Sequence, residues 1–203
     1  MTLQSIDIPE AIKLLPHLPV SKHLIDLAYD RIEAFMLADD SVIEKFIPCD
    51  FHLLDQSLTW LEQNYGLAGY RFCELGSGFG VGTLLASVRG IDSIGIEIES
   101  VLVKQAIGLA EDLDLPARFY QGNFIPSEIS RLLNLTNDVT RRGTEGEVYD
   151  LIGCSFHDFD LFFAFPWPGE QRLIEAVFQA GAADDALLLT YRGCDGMRLA
   201  RKV

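Results

Sequence analysis

The sequence has little positive charge. Its 16 Lys and Arg residues stand against 30 Asp and Glu, so the formal net charge is −14. A surface this acidic repels phosphate backbones, which disfavours nucleic acid as a partner. The chain has no apolar run near the ~18 residues that a membrane span needs and no charged-then-apolar leader. We therefore expect a cytoplasmic protein that does not associate with membranes.

Cysteine is also scarce. The chain contains Cys49, Cys73, Cys154 and Cys194, which lie far apart and form no C-x-x-C pair. None has neighbouring histidines at the spacing of metal ligands. The sequence therefore predicts free thiols and no metal site.

The chain divides by pattern into two parts. Apolar residues at helical spacing in "SKHLIDLAYDRIEAFM" and "DFHLLDQSLTWLEQNYG" predict that residues 1–66 form a helical lead-in. From 67 to 203, short apolar runs alternate with amphipathic segments, which is typical of a parallel sheet covered by helices on both faces. We predict one compact α/β domain there, with a doubly wound, mostly parallel sheet.

Five strands are predicted, and one of them is ambiguous. "YRFCELG", "DSIGIEI" and "ARFYQGNF" are the first three, and "ALLLTYR" is the fifth. Both 148–154 and 160–167 resemble the fourth strand. We favour 160–167, because Pro168 and Gly169 then open the next helix, and proline is tolerated at a helix start but not inside a central strand.

The run "ELGSGFGVG" places glycine at every second position from Gly76 to Gly82. A glycine-rich turn between a strand and a helix is typical of a nucleotide site, where small residues let backbone N–H groups meet a ligand. No Lys follows, which excludes a P-loop, and the spacing does not fit G-x-G-x-x-G. Because Glu74 heads the turn, its carboxylate favours a ligand with an ammonium and a sulfonium over a pyrophosphate.

A second carboxylate follows one strand–helix–strand unit later. Glu97 is predicted to end the second strand in "SIGIEIE", where it can accept two hydrogen bonds from a ribose diol. Glu99 lies one step into the next turn and suits that role less well.

Between Tyr70 and Arg192 the chain resembles the class I S-adenosylmethionine-dependent methyltransferases, through "ELGSGFG", "GIEIE" and "YQGNF". The resemblance implies a Rossmann-like sheet of order 3-2-1-4-5 and S-adenosylmethionine as cofactor. It assigns the ribose to Glu97 and the adenine to Asn123 and the Phe124 backbone. The turn residues that it assigns to the cofactor are Glu74, Gly76, Ser77, Gly78, Phe79 and Gly80.

The sequence departs from this family at its C-terminus. Family members carry two further strands, and the eleven residues after Arg192 are too few to build both. We therefore expect the fifth strand to be an edge unless the N-terminal segment, "VYDLIGC" or a second chain covers it, which makes a homodimer possible.

The sequence gives weaker signals for the part of the site that would bind the methyl acceptor. Trp167 and Tyr191 are candidate acceptor-site residues by their positions after the fourth and fifth strands, and packing explains each equally well. The leading hypothesis is methyl transfer to a small-molecule or protein acceptor. Some similarity to the non-SET histone lysine methyltransferases also exists. The alternatives are a non-catalytic S-adenosylmethionine-binding scaffold or sensor and, with less support, a nucleotide-dependent oxidoreductase.

Overall fold

The computed structural model describes residues 2–38, 48–67, 69–135 and 147–203. Its strands are β1 (Leu3–Ile6), β2 (Arg71–Leu75), β3 (Asp92–Glu97), β4 (Arg118–Gln121), β5 (Leu161–Ala164), β6 (Leu187–Tyr191) and β7 (Met197–Lys202). Its helices are α1 (Pro19–Ala38), α2 (Phe51–Tyr65), α3 (Val81–Val88), α4 (Ser100–Asp112), α5 (Ser127–Leu132), α6 (Glu147–Ile152) and α7 (Gln171–Gly181). None of the helices in these ranges is long and apolar enough to cross a membrane.

All seven strands form one sheet in the order β1-β7-β6-β5-β2-β3-β4. The five strands from β2 to β6 are parallel to their neighbours within this set, and they lie in the order 3-2-1-4-5 when numbered among themselves. Because adjacent residues of a strand face opposite sides of the sheet, Phe163 packs into one core and Phe162 into the other. Helices α1 to α4 cover the first face, and α5 to α7 cover the second. The predicted doubly wound α/β class is confirmed.

The prediction that the sheet lacks its last two strands is wrong. A short turn at 193–195 lets the chain reverse after β6, because Gly196 adopts a φ of 71° and its carbonyl accepts the Arg192 N–H at 2.8 Å. β7 then pairs antiparallel with β6, and β1 from the N-terminus pairs antiparallel with β7. The fifth parallel strand is therefore not an edge, and the argument for a homodimer through that edge fails.

The fourth parallel strand is β5, within the segment favoured from the sequence. Phe72 pairs with Leu161 and Glu74 with Phe163 across the β2–β5 ladder. The competing segment instead contains α6, whose buried Val148 and Ile152 are spaced four residues apart on one helical face.

The N-terminal part contains helices and one strand. Helix α2 begins at a cap in which the Asp50 carboxylate accepts the Leu53 N–H at 2.9 Å, and it ends at Gly66 with a φ of 60°. The division of the chain at residue 66 stays a prediction. Residues 3–6 form a strand rather than a helix, and 39–47 lie outside the described residues.

A buried ion pair attaches α2 to α3. Asp55 on α2 is fully buried, and its carboxylate accepts a hydrogen bond from the Arg89 guanidinium at 2.7 Å. The other carboxylate oxygen lies 2.6 Å from Nδ1 of His17. The guanidinium also donates to the Thr59 hydroxyl and to the Leu85 carbonyl. This network fixes the helical part of the lead-in against the sheet domain.

Candidate functional site

A cavity of about 590 Å³ opens at the carboxyl ends of β2, β3, β5 and β6. In open α/β sheets this edge is where ligands bind, at the point where the strand order reverses. Its lining includes nearly all of the residues predicted from the sequence. These are Glu74, Gly76, Ser77, Gly78, Phe79, Glu97, Asn123, Phe124, Trp167 and Tyr191.

Gly80 is the exception among the predicted residues. It does not line the cavity. A Cβ at this position would point behind the turn, where it would lie 2.3 Å from the Phe119 ring and 2.9 Å from Ala106. Gly80 is needed for close packing and for its φ of 73°. A Cβ at Gly76, which has a φ of 74°, would meet no atom within 4 Å, so this glycine leaves space beside the cavity.

Four backbone N–H groups of the glycine turn donate hydrogen bonds to acceptors of the protein itself. Gly76 and Ser77 donate their N–H groups to the Ile96 carbonyl at 2.9 and 3.0 Å, and Gly80 donates to the Ser77 carbonyl at 2.7 Å. Gly78 donates to the Glu97 carboxylate at 2.8 Å. These four N–H groups therefore have hydrogen-bond partners within the protein. A turn with its donors spent in this way is poorly suited to binding a phosphate.

Glu74 is the penultimate residue of β2, and its carboxylate bonds to the start of α3. Its Oε2 accepts the Thr83 N–H at 2.7 Å and the Thr83 hydroxyl at 2.6 Å. The other oxygen lies towards Gly82, where a Cβ would approach it to 2.6 Å. Burial raises the pKa of Glu74 from 4.5 to about 7, while the Thr83 hydrogen bonds lower it and the charge of Glu97 raises it.

Glu97 ends β3, and its side chain joins the turn to the strand end. In addition to the Gly78 N–H on Oε2, the carboxylate accepts the N–H groups of Ile98 and Glu99 on Oε1, at 2.7 and 2.9 Å. A carboxylate has about four acceptor positions, so one remains, on Oε2. Glu97 can take one further hydrogen bond without giving up a backbone partner.

Asn123 follows β4 and lines the cavity next to Phe124. The side-chain oxygen of Asn123 accepts the Ile125 N–H at 2.9 Å, which closes a tight local turn. The Phe124 carbonyl accepts the Tyr149 hydroxyl at 2.6 Å, so α6 supports this part of the wall. The two residues lie on the same side of the cavity as Glu97.

The opposite end of the cavity is aromatic. The rings of Phe165 and Tyr191 are 4.9 Å apart at an angle of 63°, and Trp167 is 45% exposed at the rim. The Trp167 N–H donates to the Glu170 carboxylate at 3.3 Å. Burial, followed by the nearby Cys49 and Asp50, raises the pKa of Tyr191, so its hydroxyl stays protonated near neutral pH.

The sequence did not identify the part of the lining formed by Pro48, Cys49 and Phe51 at the start of α2. Tyr29 on α1 holds this segment, since its hydroxyl lies 3.5 Å from the Cys49 carbonyl and 3.4 Å from the Phe51 nitrogen. Burial raises the pKa of the Cys49 thiol well above its ordinary value, so it remains a thiol.

The described residues of the cavity suit neither a metal ion nor a phosphate group. The described residues contain no group of three or more His, Cys, Asp or Glu side chains that could hold a metal ion. Two buried carboxylates, Glu74 and Glu97, lie beside the internally hydrogen-bonded N–H groups of the turn. Such a cavity favours a ligand with hydroxyl donors, a flat ring and positive charge.

No protein-family model matches the sequence, and no curated protein sequence matches it. Solved structures do match. A methyltransferase from Geobacter sulfurreducens aligns with a TM-score of 0.52 and 14% identity over 94% of this chain and 93% of that chain. An RNA methyltransferase from Salinibacter ruber in complex with S-adenosyl-L-homocysteine aligns with a TM-score of 0.51 and 17% identity over 77% of this chain and 92% of that chain.

A third match is an O-methyltransferase from Bacillus cereus in complex with SAH, with a TM-score of 0.51 and 13% identity over 89% of this chain and 69% of that chain. At these identities the similarity is one of fold. The chain has the Rossmann-like fold of the class I methyltransferases.

Proposed function

We propose that this protein is an S-adenosylmethionine-dependent methyltransferase acting on a small-molecule or protein acceptor. The observation that carries the proposal is the pair of buried carboxylates, Glu74 and Glu97, on either side of a glycine turn in which four N–H groups, at 76, 77, 78 and 80, bond to acceptors within the protein. That arrangement disfavours the phosphates of a dinucleotide and favours a nucleoside with positive charge. Two of the structurally similar proteins were crystallised with S-adenosylhomocysteine, the demethylated form of this cofactor.

The residues of the cavity fit this cofactor in three places. Oε2 of Glu97 has one acceptor position left for a ribose hydroxyl, and a second hydroxyl would compete with the N–H groups of Ile98 or Glu99. Asn123 and the backbone of Phe124 form the wall where the adenine would lie. The missing Cβ of Gly76 leaves space for the methionine part next to Glu74.

The cofactor would supply an activated methyl group, and the protein's contribution is alignment and exclusion of water. Phe51, at the start of α2, and Phe165, after β5, contribute apolar surface at the end of the cavity that would hold the acceptor. Trp167 and Tyr191 lie at this end too and are the residues that we assign to acceptor binding. A dedicated base is not required when the attacking atom of the acceptor carries a lone pair and has no proton to lose.

A sheet that lacked its last strands would favour the alternative of a non-catalytic binding module. Because β7 and β1 complete the sheet beyond β6, that ground is gone. We therefore keep catalysis as the proposal and treat the scaffold as an outcome of the test.

Calorimetric titration with S-adenosylmethionine, S-adenosylhomocysteine and NAD tests the cofactor assignment. We expect the two sulfur nucleotides to bind and NAD not to bind. Glu97→Gln should weaken binding, because the amide places an NH₂ group where the carboxylate now accepts hydrogen bonds. Asn123→Asp is the matched control, since a carboxylate there can still accept the Ile125 N–H and an adenine amino group. Binding of NAD alone would refute the proposal, and binding without turnover on any acceptor would favour the scaffold.

A further inference from the structure

We propose that the acceptor is an uncharged planar heteroaromatic compound with a pyridine-type ring nitrogen, and that the product is its N-methyl cation. This inference rests on the proposed function and names the substrate class of the same site.

The walls of the acceptor end suit a flat ring. Phe51 contributes from the start of α2, Phe165 and Trp167 from the loop after β5, and Tyr191 from the end of β6. Prolines at 48, 166 and 168 add rigid apolar surface between these rings. Aromatic and proline side chains present flat faces and lose little conformational entropy on binding, which favours an aromatic ligand over a flexible chain.

The charges favour a cation over an anion. The charged side chains that line the described cavity are Glu74, Glu97, Glu99, Glu170 and Arg192. The Arg192 guanidinium already pairs with Glu175 on α7. An anionic acceptor or product would therefore meet a negative field, whereas a ring that becomes positive would gain from carboxylates and from the π faces of Trp167 and Tyr191.

Among the described lining residues, no side chain is placed to remove a proton from the acceptor, since the Glu170 carboxylate lies at the exposed rim, where it accepts the Trp167 N–H. His, Lys and Asp do not occur among the described lining residues. Cys49 and Tyr191 hold their own protons, because burial raises both pKa values. Glu74 is turned towards Thr83 at the start of α3. An alcohol or phenol would need a base, whereas a pyridine-type nitrogen has no proton to lose.

The reaction balances without a further reactant. The nitrogen lone pair forms the new N–CH₃ bond as the bond between the methyl carbon and the sulfonium sulfur breaks, and the electron pair of that bond returns to sulfur. The positive charge moves from sulfur to the ring nitrogen, and no proton is released. The walls of the cavity therefore face a cation both before and after transfer.

Matched bicyclic probes test the inference at about pH 8, where isoquinoline is uncharged. Calorimetry on the full chain saturated with S-adenosylhomocysteine should show N-methylisoquinolinium binding at least about tenfold more tightly than 2-naphthoate. Mass spectrometry with S-adenosylmethionine should detect methylation of isoquinoline and not of 2-naphthol. Affinity for the cation should fall in the order wild type, Trp167→Phe and Trp167→Ala, because indole gives the strongest cation–π contact, while affinity for S-adenosylhomocysteine should stay unchanged.

The outcomes separate this inference from the proposed function. If S-adenosylhomocysteine binds but 2-naphthoate binds as tightly as the cation, the acceptor class is wrong and the cofactor assignment stands. Methylation of 2-naphthol or of a lysine-rich peptide, with isoquinoline left unmodified, would have the same meaning. If S-adenosylhomocysteine itself does not bind, both the function and the acceptor class are refuted.

Discussion

Replacing Glu74 with Gln should stabilise the protein at alkaline pH and not at acidic pH. Glu74 is buried at the end of β2, and this burial raises its pKa from 4.5 to about 7. The folded state therefore holds a proton that the unfolded state releases between these two values. Because the folded state binds more protons in this range, the free energy of unfolding falls as pH rises through it.

The size of the effect follows from the two pKa values. A rise from 4.5 to about 7 corresponds to roughly 3 kcal/mol of stability that is present below about pH 4.5 and lost above about pH 7. Gln is uncharged throughout and can still accept the Thr83 N–H and hydroxyl through its oxygen. For a chain of this length, roughly 3 kcal/mol corresponds to a rise in Tm of roughly 6–12 °C.

Urea unfolding of wild type and Glu74→Gln at pH 4.5, 6, 7.5 and 9 measures this difference. We expect the two proteins to be similarly stable at pH 4.5, the variant to gain between pH 4.5 and 7.5, and the difference to change little from pH 7.5 to pH 9. Glu170→Gln removes an exposed carboxyl from the rim of the same cavity and should follow the wild type. A difference between wild type and Glu74→Gln that is the same at all four pH values, or a variant less stable at pH 9, would refute the reasoning.

Three further predictions concern packing and ligand binding. Gly76→Ala should cost about 1–2 kcal/mol of stability from its positive φ and weaken binding of S-adenosylhomocysteine, because the new methyl group enters the cavity. Gly80→Ala should cost more stability than Gly76→Ala, roughly 2–5 kcal/mol, because its Cβ also clashes with Phe119; equal losses by urea unfolding would contradict this. Arg89→Met should cost about 3–5 kcal/mol by leaving Asp55 buried beside its remaining partner, and a loss below about 1 kcal/mol would show that the pair contributes little.

Much of the sheet could be predicted from the sequence because its central strands are buried on both faces. Strands such as β6, "LLLTY", are nearly continuous apolar runs, which is the pattern of a parallel strand between two layers of helices. The choice of β5 over the segment of α6 depended on the prolines that follow β5. The choice of strand is confirmed, although Pro168 and Gly169 form a turn that precedes α7, which begins at Gln171.

The two antiparallel strands, β1 and β7, could not be predicted because their residues do not show a strand pattern. β7 reads "MRLARK", in which three of the six residues are charged. In the structure Lys202 is buried and its ammonium donates to the Ala182 carbonyl at the end of α7, while the Arg201 guanidinium lies over the Tyr65 ring. β1 has four residues and gains its structure from pairing with β7. Pairing between distant segments leaves no local periodicity to detect.

The candidate site could likewise be predicted only in part from the sequence. Residues that follow strands, such as Glu97 and Asn123, could be placed because parallel strands end at one edge of the sheet. The hydrogen bonds of the Gly76 and Ser77 N–H groups could not be predicted, since their acceptor is the Ile96 carbonyl on the neighbouring strand β3. Cys49 and Phe51 were missed because only the packing of α2 against the sheet domain brings them to the cavity.

A crystal structure of the protein with S-adenosylhomocysteine tests the central claim most directly. The account predicts the ligand in the cavity at the carboxyl ends of the strands, with a ribose hydroxyl on Glu97, the adenine against Asn123 and Phe124, and the methionine end beside Gly76. The aromatic end near Trp167 should remain free for an acceptor. A ligand bound elsewhere, or in the cavity with its ribose away from Glu97, would contradict the account.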